Sequence, residues 1–301
     1  MMNSMVMGAL VALSMVQQTD TVIPLGDAMV LEVSAPAGSI TVTGWDRSEI
    51  RIEAEHSTRT FVEVRRTRDG RRINVEADSR RGPATIVDYV LHVPRSLALE
   101  LDAMTADILV EGVTGNVEAE VTRGDVTVRG GAAVKVSSTT GKILVDGARG
   151  GVDAETAADE IRLVNVSGDV QAESAGGDII LVNSTAGSVD VGTIGGRVHY
   201  DGTLRKDGTY FLGTHGGNIT LVVPQGAAAS FHLATVHGVV VNALEGSAQR
   251  LEGGKRHTID VGGGGALVEA ETFGGRISLV RRGAPGSEPP AARAPHHGSP
   301  E

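Results

Sequence analysis

A repeat of about 18 residues running from Thr105 to Ile219 constrains this chain more than any other feature. Successive rows read DILVEGVTGNVEAEVTRG, DVTVRGGAAVKVSSTTG, KILVDGARGGVDAETAAD and EIRLVNVSGDVQAESAGG. Each row opens on an apolar residue with a second two places on, then turns at a glycine. A second alternating apolar pair follows, then Thr or Ser, then a turn built on Gly or Asp. The opening residue falls at Ile108, Val126, Ile143, Ile161, Ile179, Val198 and Ile219, in steps of 18, 17, 18, 18, 19 and 21 residues. A fixed period near this length marks stacked repeats. Within the second half of each row the triplets Val117-Ala119-Val121, Val152-Ala154-Thr156 and Val189-Val191-Thr193 alternate strictly, the pattern of strands with one buried face. Two short strands bury nothing alone. Rows stacked about 4.8 Å apart pair their backbone groups and close an aliphatic interior. The spacing therefore predicts an all-β fold: a β-solenoid, or parallel β-helix-like array, of about 18-residue two-strand coils, preceded by a less regular N-terminal β segment.

Composition agrees with a thin interior. Hydrophobic residues make up 41% of the 301, yet aromatics only 3%, so the apolar mass is Val, Ile, Leu and Ala. The 41 glycines fall at the periodic turns rather than in a low-complexity run. A net charge of −10 speaks against nucleic acid as a partner, because phosphate binding needs a basic face. Without cysteine there is neither a disulfide nor a thiolate metal site.

The chain divides into four stretches. Residues 1–19 read as a signal peptide: the apolar run Met5 to Val16 is too short to span a bilayer, and Ala12 and Ser14 are small residues suited to cleavage. The n-region carries no Lys or Arg. Residues 20–104 form an irregular N-terminal β region whose Leu31, Val33, Ala35, Gly38 and Ile40 repeat the grammar of Leu99, Leu101, Ala103, Thr105 and Ile108. Within it Phe61 to Val93 alternates, with a hairpin turn at Asp69-Gly70. Its cluster Arg65, Arg66, Arg68, Arg71, Arg72, Arg80 and Arg81 reads as a solvated surface protecting a sheet edge. Residues 105–282 are the repeat array, with later rows expected at Val240, Ile259 and Ile277. Residues 283–301, rich in Pro, Ala and Gly, are expected to be disordered and to carry no membrane anchor.

The phrases GSITVTGWD and YVLHVPRSLALELDAMTADILVEGVTGNVEAE, with the iterated G-D-I-x-V and V-x-A-x-T-x-G-G, resemble the bacterial "putative adhesin" domain family of unknown function over roughly Val30 to Val280. The resemblance implies an all-β, solenoid-like fold on exported or membrane-anchored envelope proteins, and no catalytic residues.

No motif assembles a reaction centre. The corner column Asp107, Asp125, Lys142, Glu160, Asp178, Arg197, Asn218 and Arg276 is interrupted by cations, which excludes calcium at every turn. An outward acidic stripe includes Glu118, Glu120, Asp153, Glu155, Glu173, Asp190, Glu269 and Glu271, but lacks the Trp or Tyr that a paired-carboxylate glycosidase would set beside it. His199, His215, His232 and His237 read as loop histidines, although His215 and His237 precede equivalent corners and could approach each other. The recurring Thr156, Ser174, Thr193, Thr214, Thr235 and Thr272 read as corner residues that satisfy backbone groups. Several first-half strands are apolar on both faces and must be covered. The expected cover is the segment Phe61 to Val93; otherwise Val164, Ile180, Val182 and Val222 form a surface for a partner or a second copy.

The sequence thus leads to a non-enzyme with no catalytic, cofactor or metal residues. It would be an exported structural or adhesin-like binding module of the bacterial cell envelope, periplasmic or at the cell surface. Its partner would be an envelope protein or glycan, with self-association as a further option and no transmembrane helix. Two rival readings are a carbohydrate-active parallel β-helix enzyme and a regulatory partner of an envelope-stress sensor.

Overall fold

The computed structural model describes residues 16–79, 82, 86–245 and 248–291. Among these residues 25 strands join in one mixed, hydrogen-bonded sheet, and no helix forms. The fold is all-β.

Each strand of the repeat pairs in parallel with the corresponding strand of the next row. Second-half strands follow one another as Val117–Arg123, Val134–Thr140, Val152–Thr156, Asp169–Ser174, Ser188–Thr193 and Thr209–Thr214. First-half strands run Val126–Gly130, Ile143–Asp146, Ile161–Val164, Ile179–Ser184, Val198–Gly202 and Ile219–Val223. Like meets like across the rows: Val145 lies opposite Val128 and Leu163, and Ala154 opposite Val136 and Ala172. A slip of one residue would turn every buried Val and Ile outward, so burial fixes the register. Buried bulk enters at Tyr89 and Phe231 towards the two ends and beside the long turn between Gly202 and Thr209. There Tyr200 and Tyr210 pack edge to face at 5.6 Å, and the Tyr210 hydroxyl accepts the Arg205 amide at 2.8 Å.

One corner joins the two halves of each row, and there the backbones nearly touch. A β-carbon at Gly177 would stand 1.7 Å from the Asp159 carbonyl oxygen, and one at Gly217 would stand 1.8 Å from that of Gly196. Only glycine permits this approach. The neighbouring hydroxyl closes the corner by donating and accepting at once. Thr193 Oγ1 donates to the Gly177 carbonyl at 2.9 Å and accepts the Gly196 amide at 3.2 Å; Thr214 repeats this with Gly196 and Gly217 at 2.9 and 3.1 Å. Ser174, Thr235 and Thr272 do the same, and Thr156 donates to Gly141. These are the corner roles expected from the sequence.

The order of rows departs from the order of the chain at both ends. Val30–Trp45 pairs along both halves with Ala98–Val113, with Leu31 opposite Leu99 and Ile40 opposite Ile108. Its other edge carries Arg72–Ser79 and Ile86–Pro94. At the far end Ala266–Thr272 lies between Thr209–Thr214 and Ala229–Thr235, and Arg276–Arg281 between Ile219–Val223 and Val239–Ala243. The last row is inserted beneath the one that precedes it in sequence. The simple succession of rows at Ile219, Val240, Ile259 and Ile277 is therefore corrected. Ile259 belongs to Arg256–Val261, which runs antiparallel to Ala229–Thr235 with Ile259 opposite Phe231.

Antiparallel strands also cover the other end. Thr60–Arg66 lies on Arg72–Ser79, Glu49–Ser57 on Ile86–Pro94, and Val16–Pro24 on Glu49–Ser57. Residues 1–15 of the expected leader lie outside the described residues, while Val16 to Thr19 begin a strand.

The corner contact predicts a contrast between glycines. Gly177→Ala should lower stability by roughly 3 kcal/mol, the upper range for overpacking. Gly192→Ala, where an added methyl meets nothing within 4 Å, should change it by less than about 1 kcal/mol. Urea unfolding of both variants measures the difference; equal losses would show that the corner tolerates a side chain.

Candidate functional site

The four residues expected to form a partner surface lie on one face of the stack, which the chain's own C-terminal segment crosses. Val164, Val182 and Val222 share one outward column through the pairings Val164 to Val182, Val182 to Asp201 and Asp201 to Val222. Ile180 stands in the next column, between Arg162 and His199. Ile180 and Val222 are buried, and Val164 and Val182 half-buried. The segment Phe61 to Val93 does not lie here; its strands pair with Val30–Trp45 and Glu49–Ser57 at the other end of the sheet.

The chain's own C-terminal segment does. The Arg282 guanidinium donates to the Asp201 carboxylate at 2.8 and 2.5 Å and to the Gly202 carbonyl at 3.1 Å. The Gly283 amide donates to Ser287 Oγ at 3.1 Å, and Arg162 Nη2 donates to the Pro290 carbonyl at 2.8 Å. The segment thus passes from the row of Asp201 to the row of Arg162, with the row of Ile180 between them. Disorder was expected from its composition, but residues 283–291 are held by two arginines on an apolar face. Residues 292–301 lie outside the described part.

Charged groups on this face pair within it. Arg197 bonds the buried Asp178 carboxylate at 2.6 and 3.2 Å, and Arg162 bonds the buried Glu160 at 2.8 Å. His199 is buried, and its Nε2 has no hydrogen-bond partner. Burial pushes its pKa down to about 4, with Arg162 and Arg197 acting the same way and Asp201 opposing them.

The other candidate groups are structural. Asp125 Oδ1 accepts the Lys142 amide and Asp178 Oδ1 the Arg197 amide, each at 2.8 Å, while Asn218 Oδ1 accepts that of Arg276 at 2.9 Å. A column that calcium might have used instead caps backbone from row to row. Among the described residues no group of three or more His, Asp or Glu is placed to hold a metal ion. In the basic cluster, Arg66 bonds the carbonyls of Pro24, Leu25 and Gly70, and Arg72 pairs with Glu32 and Glu100; Arg80 and Arg81 lie outside the described residues. Along the acidic stripe the carboxylates face water. There burial, then Glu120, Glu32, Glu100 and Glu118, push the Asp102 pKa up.

A second surface escaped the sequence reading. Phe211, His215, Val236, Lys255, Arg256 and Phe273 line a groove of about 610 Å³. Phe211, Phe273 and Val236 remain 39%, 43% and 51% exposed. The inserted row creates it. The His215 carbonyl accepts the Phe273 amide at 3.2 Å, and the Phe273 carbonyl accepts the His237 amide at 2.8 Å, so Phe273 enters the corner between the two histidines. His215 stacks on the ring at 4.8 Å and 5°, and His237 meets it edge-on at 4.9 Å. The expected approach of His215 to His237 is thus mediated by an aromatic ring.

No family model matches the chain, and no curated protein matches it. Solved structures do resemble it. One described as a putative adhesin from Parabacteroides distasonis is 13% identical, with a TM-score of 0.41 over 88% of this chain and 97% of that one. A putative adhesin from Parabacteroides merdae gives 10%, 0.28, 88% and 96%. A putative cell adhesion protein from Clostridium sporogenes gives 10%, 0.24, 88% and 99%.

His199 sets a pH dependence. A histidine whose folded pKa lies below its unfolded value holds stability above about pH 6.5 and loses it as pH falls towards 4. His199→Asn should remove up to about 3 kcal/mol of that slope. Urea midpoints of wild type and variant between pH 7 and 4 test this; parallel profiles would mean that His199 is not held neutral.

Proposed function

We propose that the protein is a non-catalytic β-solenoid acting as an exported, adhesin-like binding or structural module of the bacterial envelope. In this reading residues 1–19 direct export, and residues 20–104 and 105–282 form successive parts of one stack. The supporting observation is where the polar groups go. Corner hydroxyls, glycine amides and the Asp/Asn column are consumed between rows, and the outward charges form open stripes along the sheet. The accessible surface of distinct chemistry is the aromatic groove at the end of the stack. No helix among the described residues is long and apolar enough to cross a membrane, which says nothing of strands.

The reading separates from a carbohydrate-active enzyme by turnover. Screened on an array of bacterial surface glycans and assayed with the same glycans in solution, the purified protein should retain a subset of them and release no shortened product. Product formation that persists through repurification would overturn the non-catalytic assignment.

A further inference from the structure

The groove framed by Phe211, His215, Phe273, Lys255 and Arg256 has a chemistry found nowhere else on the outward face of the second-half strands. Along that face the column opposite Phe211 runs through Glu100, Glu118, Lys135, Asp153, Gln171 and Asp190. At Phe211 and Gly213 the acidic stripe is interrupted by an aromatic ring, and where it resumes in the next row Glu269 lies 3.7 Å from His232 and Glu271 pairs with Arg256. Around that ring stand donors. Lys255 is exposed and makes no ion pair among the described residues. The rings of His215 and His237 are exposed and are held by the Phe273 ring rather than by acceptors. Arg256 is held by Glu271 at 2.7 Å, which leaves one carboxylate in the lining, itself already neutralised.

A ligand that fits must set a flat apolar face against phenyl rings and bring acceptors, including a negative charge, to Lys255 and the imidazoles. A polypeptide backbone brings no negative charge of its own to Lys255 and no flat C–H face to the phenyl rings. A hexuronate ring supplies the required pair: axial C–H groups on one face, which an aromatic quadrupole attracts, and a carboxylate with ring and hydroxyl oxygens at its edge. We infer that this groove is a binding site for an acidic, uronate-bearing saccharide, seated on Phe273 and Phe211 with its carboxylate at Lys255. The inference rests on the binding-module reading and adds to it the place and the ligand class.

Isothermal titration of the full chain with trigalacturonate, with maltotriose as the neutral arm and a thymidine oligonucleotide as the phosphate arm, tests this. Trigalacturonate should bind, and more weakly as salt is raised. Phe273→Ala and Lys255→Glu should each weaken it by about tenfold or more, while Lys255→Arg keeps it, all with unchanged melting temperatures. Equal binding of maltotriose or the oligonucleotide would overturn the inference, as would trigalacturonate affinity untouched by the variants, or no binding at all. Retention of other glycans in that event would leave the binding-module reading standing.

Discussion

The structure depends on a contact between two backbones. At the corner of the later rows a glycine lies so close to the neighbouring row that no side chain fits, and a threonine or serine hydroxyl spans the gap by giving one hydrogen bond and taking another. That approach fixes the spacing of the stack at this edge. It also explains why Gly and Thr recur where other β-proteins vary their turns. The interior follows from it. Rows brought this close are filled mainly by short aliphatic side chains, and the buried aromatics are few: Tyr89 and Phe231 towards the two ends, and Tyr200 and Tyr210 on either side of the long turn between Gly202 and Thr209.

The same economy governs polar groups. Asp125, Asp178 and Asn218 could each be read as a ligand, yet each accepts an amide from the next row. A residue type that suits calcium also suits an orphan N–H, and a column interrupted by Lys142 and Arg197 is built for the second purpose. Function, where it exists, is left to the two faces and the ends. One face is occupied by the chain's own C-terminal segment, pinned by Arg282 to Asp201 and by Arg162 to Pro290. Beneath lies a neutral His199, in a setting where a second positive charge beside Arg162 and Arg197 is costly.

Much of the fold was legible because alternation and period act locally. Ile108, Val126 and Ile143 announce their pairing in the text, and the likeness of Leu31-Val33 to Leu99-Leu101 is the pairing itself. The row order at the end was not legible. Phe231-Leu233-Thr235 and Val268-Ala270-Thr272 obey one consensus, and either fits against Tyr210-Leu212-Thr214; nothing in a periodic pattern chooses between equivalent mates. The groove stayed hidden for the same reason, since Phe273 faces His215 only if the later row lies beneath the earlier. The corner slot after each threonine held a faint signal, in that Ala157 and Ala175 give way to Ile194, His215, Val236 and Phe273. The C-terminal segment was misread because composition reports how weakly a stretch folds alone, and not what it lies on.

The inserted row has a consequence for how the protein is made. As the chain leaves the ribosome, residues 229–243 emerge before the strand they will rest on exists, since Ala266–Thr272 and Arg276–Arg281 are still to be synthesised. The stack can grow row by row as far as Val223 and must then wait. Its final turn cannot close until translation is nearly complete, so the aromatic corner assembled there is the last part of the molecule to come into being.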